Sequence, residues 1–377
     1  MINKKLIEDS INHKSVDRIP VMYRGVPKTN EELKKYFNLN NLEDEWEILI
    51  EKIKADNFSD GATLGAFTTY FPKYIGPNIN TVYEQNHFFV WGIKPVEIKV
   101  AGTIDIVFHK NPPLFNCNDL SDLKNYKFPE IGWFDFNKYN IVTEAIDKKY
   151  EDQKEIKSED IKKTDRFFSN AYYLNSIFMT SIFLRGMDKM LMDLLVNKKY
   201  AEFLISSIGE FMLEFCINYL SSIGNNIDLY GIWDDIASQE NLLISPELWR
   251  KYYKPWHKKI IEVAKNHGLY VCFHICGNCS EVIPDLIEMG VDILDPVQVS
   301  ARNMQLEKLK QQFGKDICFH GGLDAQRLIP MGNPEQIKKE VKRAKELFAG
   351  DGGIILGPSH YITADTPLEN ILAIYNC

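Results

Sequence analysis

Two segments decide the fold: DLYGIW at Asp228–Trp233 and YVCFHI at Tyr270–Ile275. Each is a short apolar run of the length and composition that buried strands have. A helical pattern from Pro246 to His267 lies between them. A strand, a helix and a second strand in this order predict a right-handed βα unit of a parallel sheet.

The same alternation continues toward the end of the sequence. Further strands are predicted at Asp292–Leu294, Ile317–His320 and Gly353–Leu356, with helices between them. Five such units in succession, with no GxGxxG after any strand, favour an α/β fold of the (β/α)8 barrel type over a dinucleotide-binding fold. We place the three strands that complete the barrel near residues 19–24, 54–60 and 168–178.

The first third of the sequence is less regular. It contains a helical pattern at Glu31–Phe37 and strand-like pieces at Phe88–Trp91 and Val96–Val100, among many aromatic, proline and glycine residues. No linker or fixed-period repeat divides the sequence. We therefore predict a single domain over residues 1–377, a barrel with an irregular N-terminal extension.

Composition excludes several classes of protein. The 377 residues carry 44 basic and 52 acidic side chains, and the net charge of −8 argues against a nucleic-acid-binding surface. Seven cysteines in a chain of this length do not indicate a disulfide scaffold. Residues 1–12 lack the apolar run of a signal peptide, and polar residues interrupt the longest uncharged stretch, Phe167–Leu184. We expect no membrane association and a cytoplasmic protein whose reduced thiols can bind metal.

The sharpest local pattern is the pair His274 and Cys276. Residues two apart on a strand point to the same face, and an imidazole nitrogen and a thiolate sulfur are both good zinc ligands. A buried cysteine can also be only a small apolar side chain. His360, which follows the last predicted strand, is the best candidate for a third ligand, and substrate binding is its alternative role. Cys279 is the second candidate for a third ligand.

Carboxylates follow the predicted strand ends, where the catalytic face of a barrel lies. Asp234 and Asp235 are adjacent, so only one can face the cavity; that one would orient a substrate, handle a proton or support a ligating histidine. The alternative is a helix cap. Asp60 lies at the end of another predicted strand. The residues expected to bind substrate are Arg24, Gln298, His320 and Asp324.

Several of these motifs resemble one known family. The segments HICGN from His274, VDILDP from Val291, GGLD from Gly321 and TPLEN from Thr366 are similar to motifs of the uroporphyrinogen decarboxylase superfamily. The segment DRIP from Asp17 matches its usual start, so the resemblance spans most of the sequence. It implies a single (β/α)8 barrel and one of two chemistries: decarboxylation of a porphyrinogen, or zinc-dependent methyl transfer between a corrinoid and a thiol or similar acceptor.

The decarboxylase branch is matched at few positions. Phe58-Ser59-Asp60 resembles the segment whose acid grips the pyrrole NH groups, and His360 falls where that branch has a histidine. However, the family's run of two arginines around Gln-Ala-Gly is absent, and YRGVP stands there at Tyr23–Pro27. A tetrapyrrole with eight carboxylates needs several cations to bind it, and Arg24 supplies only one.

The methyltransferase branch is matched at the metal site. The resemblance implies that His274 and Cys276 bind Zn²⁺, and His360 stands where the third ligand of that branch, a cysteine, is found. In this prediction Asp234 or Asp235 orients a small-molecule methyl acceptor, and the methyl-carrying corrinoid arrives on a separate carrier protein.

We therefore predict a zinc-dependent corrinoid methyltransferase. Two alternatives stay open: a metal-free uroporphyrinogen decarboxylase that uses Asp60, and a barrel that only binds a small molecule. A homodimer is one arrangement that the sequence leaves open.

Overall fold

The computed structural model describes residues 4–39, 45–56, 69–77, 89–94, 96–100, 103–107, 110–142, 155–160, 170–172 and 176–376. The strands are β1 (Thr69–Tyr74), β2 (Val96–Val100), β3 (Thr103–Val107), β4 (Phe134–Val142), β5 (Glu155–Lys157), β6 (Asn170–Tyr172), β7 (Leu229–Trp233), β8 (Tyr270–His274), β9 (Ile293–Val297), β10 (Cys318–Leu323) and β11 (Ile354–Pro358). The helices are α1 (Lys4–Ile11), α2 (Pro27–Tyr36), α3 (Glu45–Ile53), α4 (Leu120–Lys124), α5 (Ile177–Arg185), α6 (Met187–Val196), α7 (Lys198–Ile223), α8 (Pro246–Tyr252), α9 (Lys254–Asn266), α10 (Ile283–Met289), α11 (Leu306–Phe313), α12 (Leu328–Met331), α13 (Pro334–Leu347) and α14 (Leu368–Tyr375).

The central element is a parallel sheet of six strands in the order β11-β10-β9-β8-β7-β6. Spatial order follows chain order, as successive βα units require. Trp233 pairs with His274, and His274 pairs with Asp295, so the C-terminal ends of β7, β8 and β9 lie side by side. The five strands predicted from β7 to β11 are confirmed, and β6 lies inside the predicted range 168–178, although α5 already begins at Ile177.

The segment predicted as the first barrel strand, 19–24, is not a regular strand. It is extended and meets the sheet at a single parallel bridge, Val21 with Leu356. The Asp56 amide donates to the Val21 carbonyl over 2.6 Å, so the chain passes this segment a second time. Residues 55 and 56 form no strand, and residues 57–60 of the predicted strand lie outside the described part. The described residues thus show six parallel strands with one bridged segment, and no closed barrel.

The N-terminal extension is built from small antiparallel pieces. β1, β4 and β5 form one sheet, and β2 and β3 form a hairpin. The strand predicted at Val96–Val100 is confirmed, whereas Phe89–Trp91 forms a 3₁₀ turn because all three side chains are buried and none alternates outward. Phe71 and Phe134 pack against Phe215 of α7 and attach the extension to the rest of the protein.

Two helices depart from simple expectations. The single helix predicted over Pro246–His267 is two helices, α8 and α9, because Pro255 lacks the amide hydrogen that a continuous helix would need. By length and composition α7 is apolar enough to cross a membrane, but 56% of its most apolar window is buried inside the protein. It packs against α5, α6 and α9, which is the position of a core helix.

Candidate metal centre

Three donor atoms meet where β7 and β8 end. The Nε2 atom of His274 lies 3.4 Å from the sulfur of Cys276 and 3.8 Å from Oδ1 of Asp235. The three ligand atoms all lie within 4.8 Å of one another. Asp235 reaches this position because its Oδ1 also accepts a hydrogen bond from the Cys276 amide over 2.7 Å. A nitrogen, a sulfur and an oxygen donor therefore converge on one small volume.

Two loops hold these donors in register. The Asn278 amide donates to the Ser238 carbonyl over 2.8 Å, and the Asn278 side-chain amide donates to the Glu240 carbonyl over 2.6 Å. Gly277 has a φ of +93°, and a Cβ there would lie 2.3 Å from the Ser238 oxygen. Only glycine fits such a position. The loop after β8 is thereby fixed to the loop that carries Asp235.

A buried carboxylate lies behind His274. The Nδ1 atom of His274 donates to Oδ2 of Asp295 over 2.5 Å, and the Nδ1 atom of His320 donates to Oδ1 over 2.5 Å. Arg24 places its Nη2 atom 3.7 Å from Oδ2 of the same carboxylate. Burial alone would raise the pKa of Asp295, but Arg24 and the two histidines outweigh it and hold that pKa well below its usual value.

This arrangement decides which nitrogen of His274 can bind a metal. A carboxylate only accepts hydrogen bonds, so Nδ1 carries the proton and Nε2 is directed at Cys276 and Asp235. Burial of His274 opposes its charged form, but the negative charges of Cys276 and Asp295 outweigh that effect and raise its pKa to about 10. In the charged form Nε2 also carries a proton, and a metal cation bound at Nε2 would replace it.

Trp233 forms one wall of the site. Its Nε1 atom donates to Oδ2 of Asp235 over 3.2 Å, and its ring centroid lies 5.2 Å from that of His274. The Trp233 side chain is 43% exposed. Both oxygens of Asp235 therefore have a donor within the protein, which holds the carboxylate toward the other two donor atoms.

Asp234 points away from this site. It is completely buried and accepts hydrogen bonds from the amides of Phe178 and Met179, over 3.0 and 2.9 Å, and from Nε2 of His257 over 2.9 Å. These contacts cap the N-terminus of α5. Of the two adjacent carboxylates, only one of which was expected to face the cavity, the alternation of side chains directs Asp235 to the site and Asp234 into the core.

His360 is not one of the three clustered donors. It lies two residues after the end of β11, where the charges of Arg24, His274, Asp235 and Asp295 act on its ring. Desolvation of its ring, followed by the positive charges of Arg24 and His274, lowers its pKa to about 4. The imidazole of His360 is therefore neutral near pH 7. Among the described residues the donor grouped with His274 and Cys276 is Asp235, and the role of His360 as third ligand stays a prediction.

The other cysteines near the motif are core residues. Cys279 is fully buried in the main hydrophobic cluster, and burial raises the pKa of its thiol to about 12. Cys272 is buried beneath the site beside Leu229 and Ile293. Neither belongs to the donor cluster found among the described residues.

The predicted substrate-binding residues fall into two groups. Arg24 and His320 lie in the buried network around Asp295, and the Arg24 guanidinium lies 5.1 Å from the centroid of the Tyr361 ring.

Gln298 and Asp324 form the second group, and both accept hydrogen bonds from backbone amides. The Oε1 atom of Gln298 accepts from the Gly277 amide over 2.9 Å, and Asp324 accepts from the amides of Gln326 and Arg327, over 2.8 and 3.1 Å, in a turn.

Two acidic residues, Asp295 and Asp60, show what the sequence alone does not establish about this site. The sequence pattern assigns no role to Asp295, because the strand predicted there ends at Leu294, whereas β9 continues to Val297 and places Asp295 beside His274. The sequence does contain one indication of this role: an acidic residue inside an apolar strand, because a buried charge requires partners. Asp60, the predicted acid of the decarboxylase alternative, lies outside the described residues.

The donor set fits a zinc ion. Zinc prefers four tetrahedral ligands drawn from thiolate, imidazole and carboxylate, and a catalytic site uses three of them and leaves one position for substrate. Cys276, His274 and Asp235 supply one of each. The hydrogen bond from His274 to Asp295 is the outer support that ligating histidines almost always have.

The sheet and these donors define an α/β protein with a candidate metal centre at the carboxyl ends of its strands. The family model described as "Uroporphyrinogen decarboxylase (URO-D)" matches residues 174–377, more than half of the chain. The chain belongs to this family.

The relatives with similar sequences include methyltransferases and a decarboxylase. A methylated-thiol–coenzyme M methyltransferase of Methanosarcina mazei is 31% identical over 136 residues, which cover 36% of this chain and 34% of that protein. The methylcobamide:CoM methyltransferase MtbA of the same organism is 29% identical over 180 residues, 47% of this chain and 49% of that protein. A uroporphyrinogen decarboxylase of Vesicomyosocius okutanii is 24% identical over 180 residues, 46% and 47% of the two chains. The chain thus matches between a third and a half of the length of these relatives.

A solved structure, a methyltransferase from Methanosarcina mazei, superposes with a TM-score of 0.60 at 16% identity and covers 99% of this chain and 96% of that one. At this identity the comparison shows a shared fold.

Proposed function

We propose that the protein is a zinc-dependent methyltransferase that moves a methyl group between a corrinoid and a thiol or similar acceptor. The observation that carries the proposal is the convergence of His274, Cys276 and Asp235. The higher identities to the two methyltransferases than to the decarboxylase support the same branch.

The proposed ligands are charge-matched to the branch that the sequence resembles. One neutral imidazole, one thiolate and one carboxylate carry a total charge of about −2, the same as one imidazole and two thiolates. Asp235 in the third position therefore balances Zn²⁺, which His360 would not. When bound, zinc would supply the positive charge that lowers the pKa of an acceptor thiol and makes its thiolate available near neutral pH.

The protein's own residues set the geometry of this reaction. Asp295 orients His274, and Trp233 donates to Asp235 and packs beside the His274 ring. His360, neutral near pH 7, faces the mouth as a hydrogen-bonding group for the acceptor rather than as a ligand. We also assign Arg24 and His320 to the interior side of the site.

The broader assignments are part of the same proposal. The methyl donor would be a methylated corrinoid, presented by a separate carrier protein, and the acceptor a small thiol. A cytoplasmic location suits the reduced thiol of Cys276. We further propose that the parallel sheet closes into a (β/α)8 barrel and that residues 1–377 form one domain.

The test is a spectroscopic assay with free methylcobalamin as methyl donor and coenzyme M as the first thiol, because the relatives' names specify that acceptor. Zinc-loaded protein should demethylate the cofactor and form the thioether, whereas Cys276→Ser protein should be inactive. The Asp285→Asn variant, changed on α10 in an ion pair with Arg250 and Lys254, should retain activity. Decarboxylation of uroporphyrinogen by zinc-free protein, without methyl transfer, would overturn the proposal.

A further inference from the structure

We propose that Asp295 is a positioning residue that fixes the metal-binding nitrogen of His274. The inference rests on the proposed function and deepens it, because it identifies the residue that prepares the site for its metal.

The geometry of Asp295 carries the first step. It lies on β9 directly beside His274 on β8, in strand register. Its two oxygens are divided between two imidazoles: Oδ2 accepts from Nδ1 of His274 and Oδ1 accepts from Nδ1 of His320, each over 2.5 Å. The side chain is 1% exposed. Water therefore cannot replace either contact without reorganising the core.

The chemistry of a carboxylate carries the second step. Because it has no proton to donate, both imidazoles must present Nδ1–H to it. His274 is thereby confined to a ring orientation with Nε2 directed at Cys276 and Asp235. The Nη2 atom of Arg24 lies 3.7 Å from Oδ2 and places a positive charge beside the buried carboxylate.

An asparagine at position 295 would not accept hydrogen bonds from both imidazoles. Asparagine has one accepting oxygen and one donating NH₂ group, so it can accept from only one of the two imidazoles. The other imidazole would have to rotate or move its proton to Nε2. For His274 that change would place a hydrogen where the metal has to bind.

The first experiment measures zinc affinity with a competing chromophoric chelator. Asp295→Asn should weaken zinc binding about 10- to 100-fold, the range found for outer partners of ligating histidines. The control is Asp285→Asn, since Asp285 is also a largely buried aspartate in an ion pair but is bound to Arg250 and Lys254 on other helices. An Asp295→Asn protein that folds and keeps wild-type zinc affinity would overturn the inference.

The second experiment needs no variant at position 295 and stands if Asp295→Asn does not fold. In zinc-loaded wild-type protein labelled with ¹⁵N-histidine, the His274 ring should keep its Nδ1 proton and show a metal-bound Nε2, with His274→Gln used to assign the signal. Coordination through Nδ1 would contradict the inference. If wild-type protein binds no zinc at all, the proposed function fails; if it binds zinc through Nδ1, only the role of Asp295 fails.

Discussion

Two buried histidine–aspartate clusters, Asp234 with His257 and Asp295 with His274 and His320, serve different ends. In one, Asp234 accepts from His257 and from two backbone amides at the start of α5, so its oxygens are used to join elements of the core. In the other, Asp295 accepts from His274, whose second ring nitrogen is directed at Cys276.

The difference shows what makes a histidine–carboxylate pair functional. Both pairs are buried and hydrogen-bonded, so neither burial nor pairing separates them. The two pairs differ in what else they contact. Asp234 and His257 contact backbone amides and apolar side chains. His274 instead directs its second ring nitrogen at the donor atoms of Cys276 and Asp235. We therefore expect variants around His274 to change metal binding and variants around Asp234 to change only stability.

The largest effect is expected for Cys276→Ser. A hydroxyl near neutral pH is a far weaker zinc ligand than a thiolate, so zinc affinity should fall by at least about 100-fold. Metal content after dialysis against a weak chelator measures the change. Cys279→Ser is the matched control, three residues away and buried in the core, and it should keep the metal. Loss of zinc in the control would place the site within residues 274–279 alone.

The next effect separates the two candidates for the third ligand. Asp235→Ala should weaken zinc binding about 10- to 100-fold because it removes one donor and the hydrogen bond that holds the Cys276 amide. His360→Ala should leave affinity unchanged and raise the apparent KM for the acceptor. Titration of both variants with zinc decides between them, and the reverse ranking would restore His360 as the ligand.

A smaller effect, on stability alone, is expected for Asp234→Asn. The amide keeps one accepting oxygen but loses the charge and one of the contacts to α5, so the free energy of unfolding should fall by about 1–3 kcal/mol. Urea denaturation of the metal-free protein measures this. Zinc affinity should stay at the wild-type value, and a large loss of zinc from the folded variant would show that the two clusters are not separate.

A further effect is a pH dependence that belongs to His274. Its pKa is raised from 6.5 to about 10, so its contribution to stability is fully present below pH 6.5 and is lost as the pH rises through about 10. Between those values the metal-free wild type should lose unfolding free energy more steeply than His274→Gln. Equal slopes in denaturant titrations at pH 7 and pH 9 would contradict this assignment.

The fold and the site were predictable to different degrees. Strands β7 to β11 are apolar runs separated by clear helical patterns, so their order and the strand-end positions of His274 and Cys276 could be predicted. The segment 19–24 could not, because a stretch that pairs through isolated bridges has the same residue types as a strand. The choice between Asp234 and Asp235 depends on where β7 ends, and the role of Asp295 depends on pairing between β8 and β9; local sequence contains neither.

X-ray absorption at the zinc edge of the zinc-loaded protein tests the central claim most directly. A site built from His274, Cys276 and Asp235 predicts one zinc per chain with a single sulfur neighbour at about 2.3 Å and the remaining ligands, nitrogen or oxygen, at about 2.0–2.2 Å. Two sulfur neighbours, or no stoichiometric zinc, would contradict it.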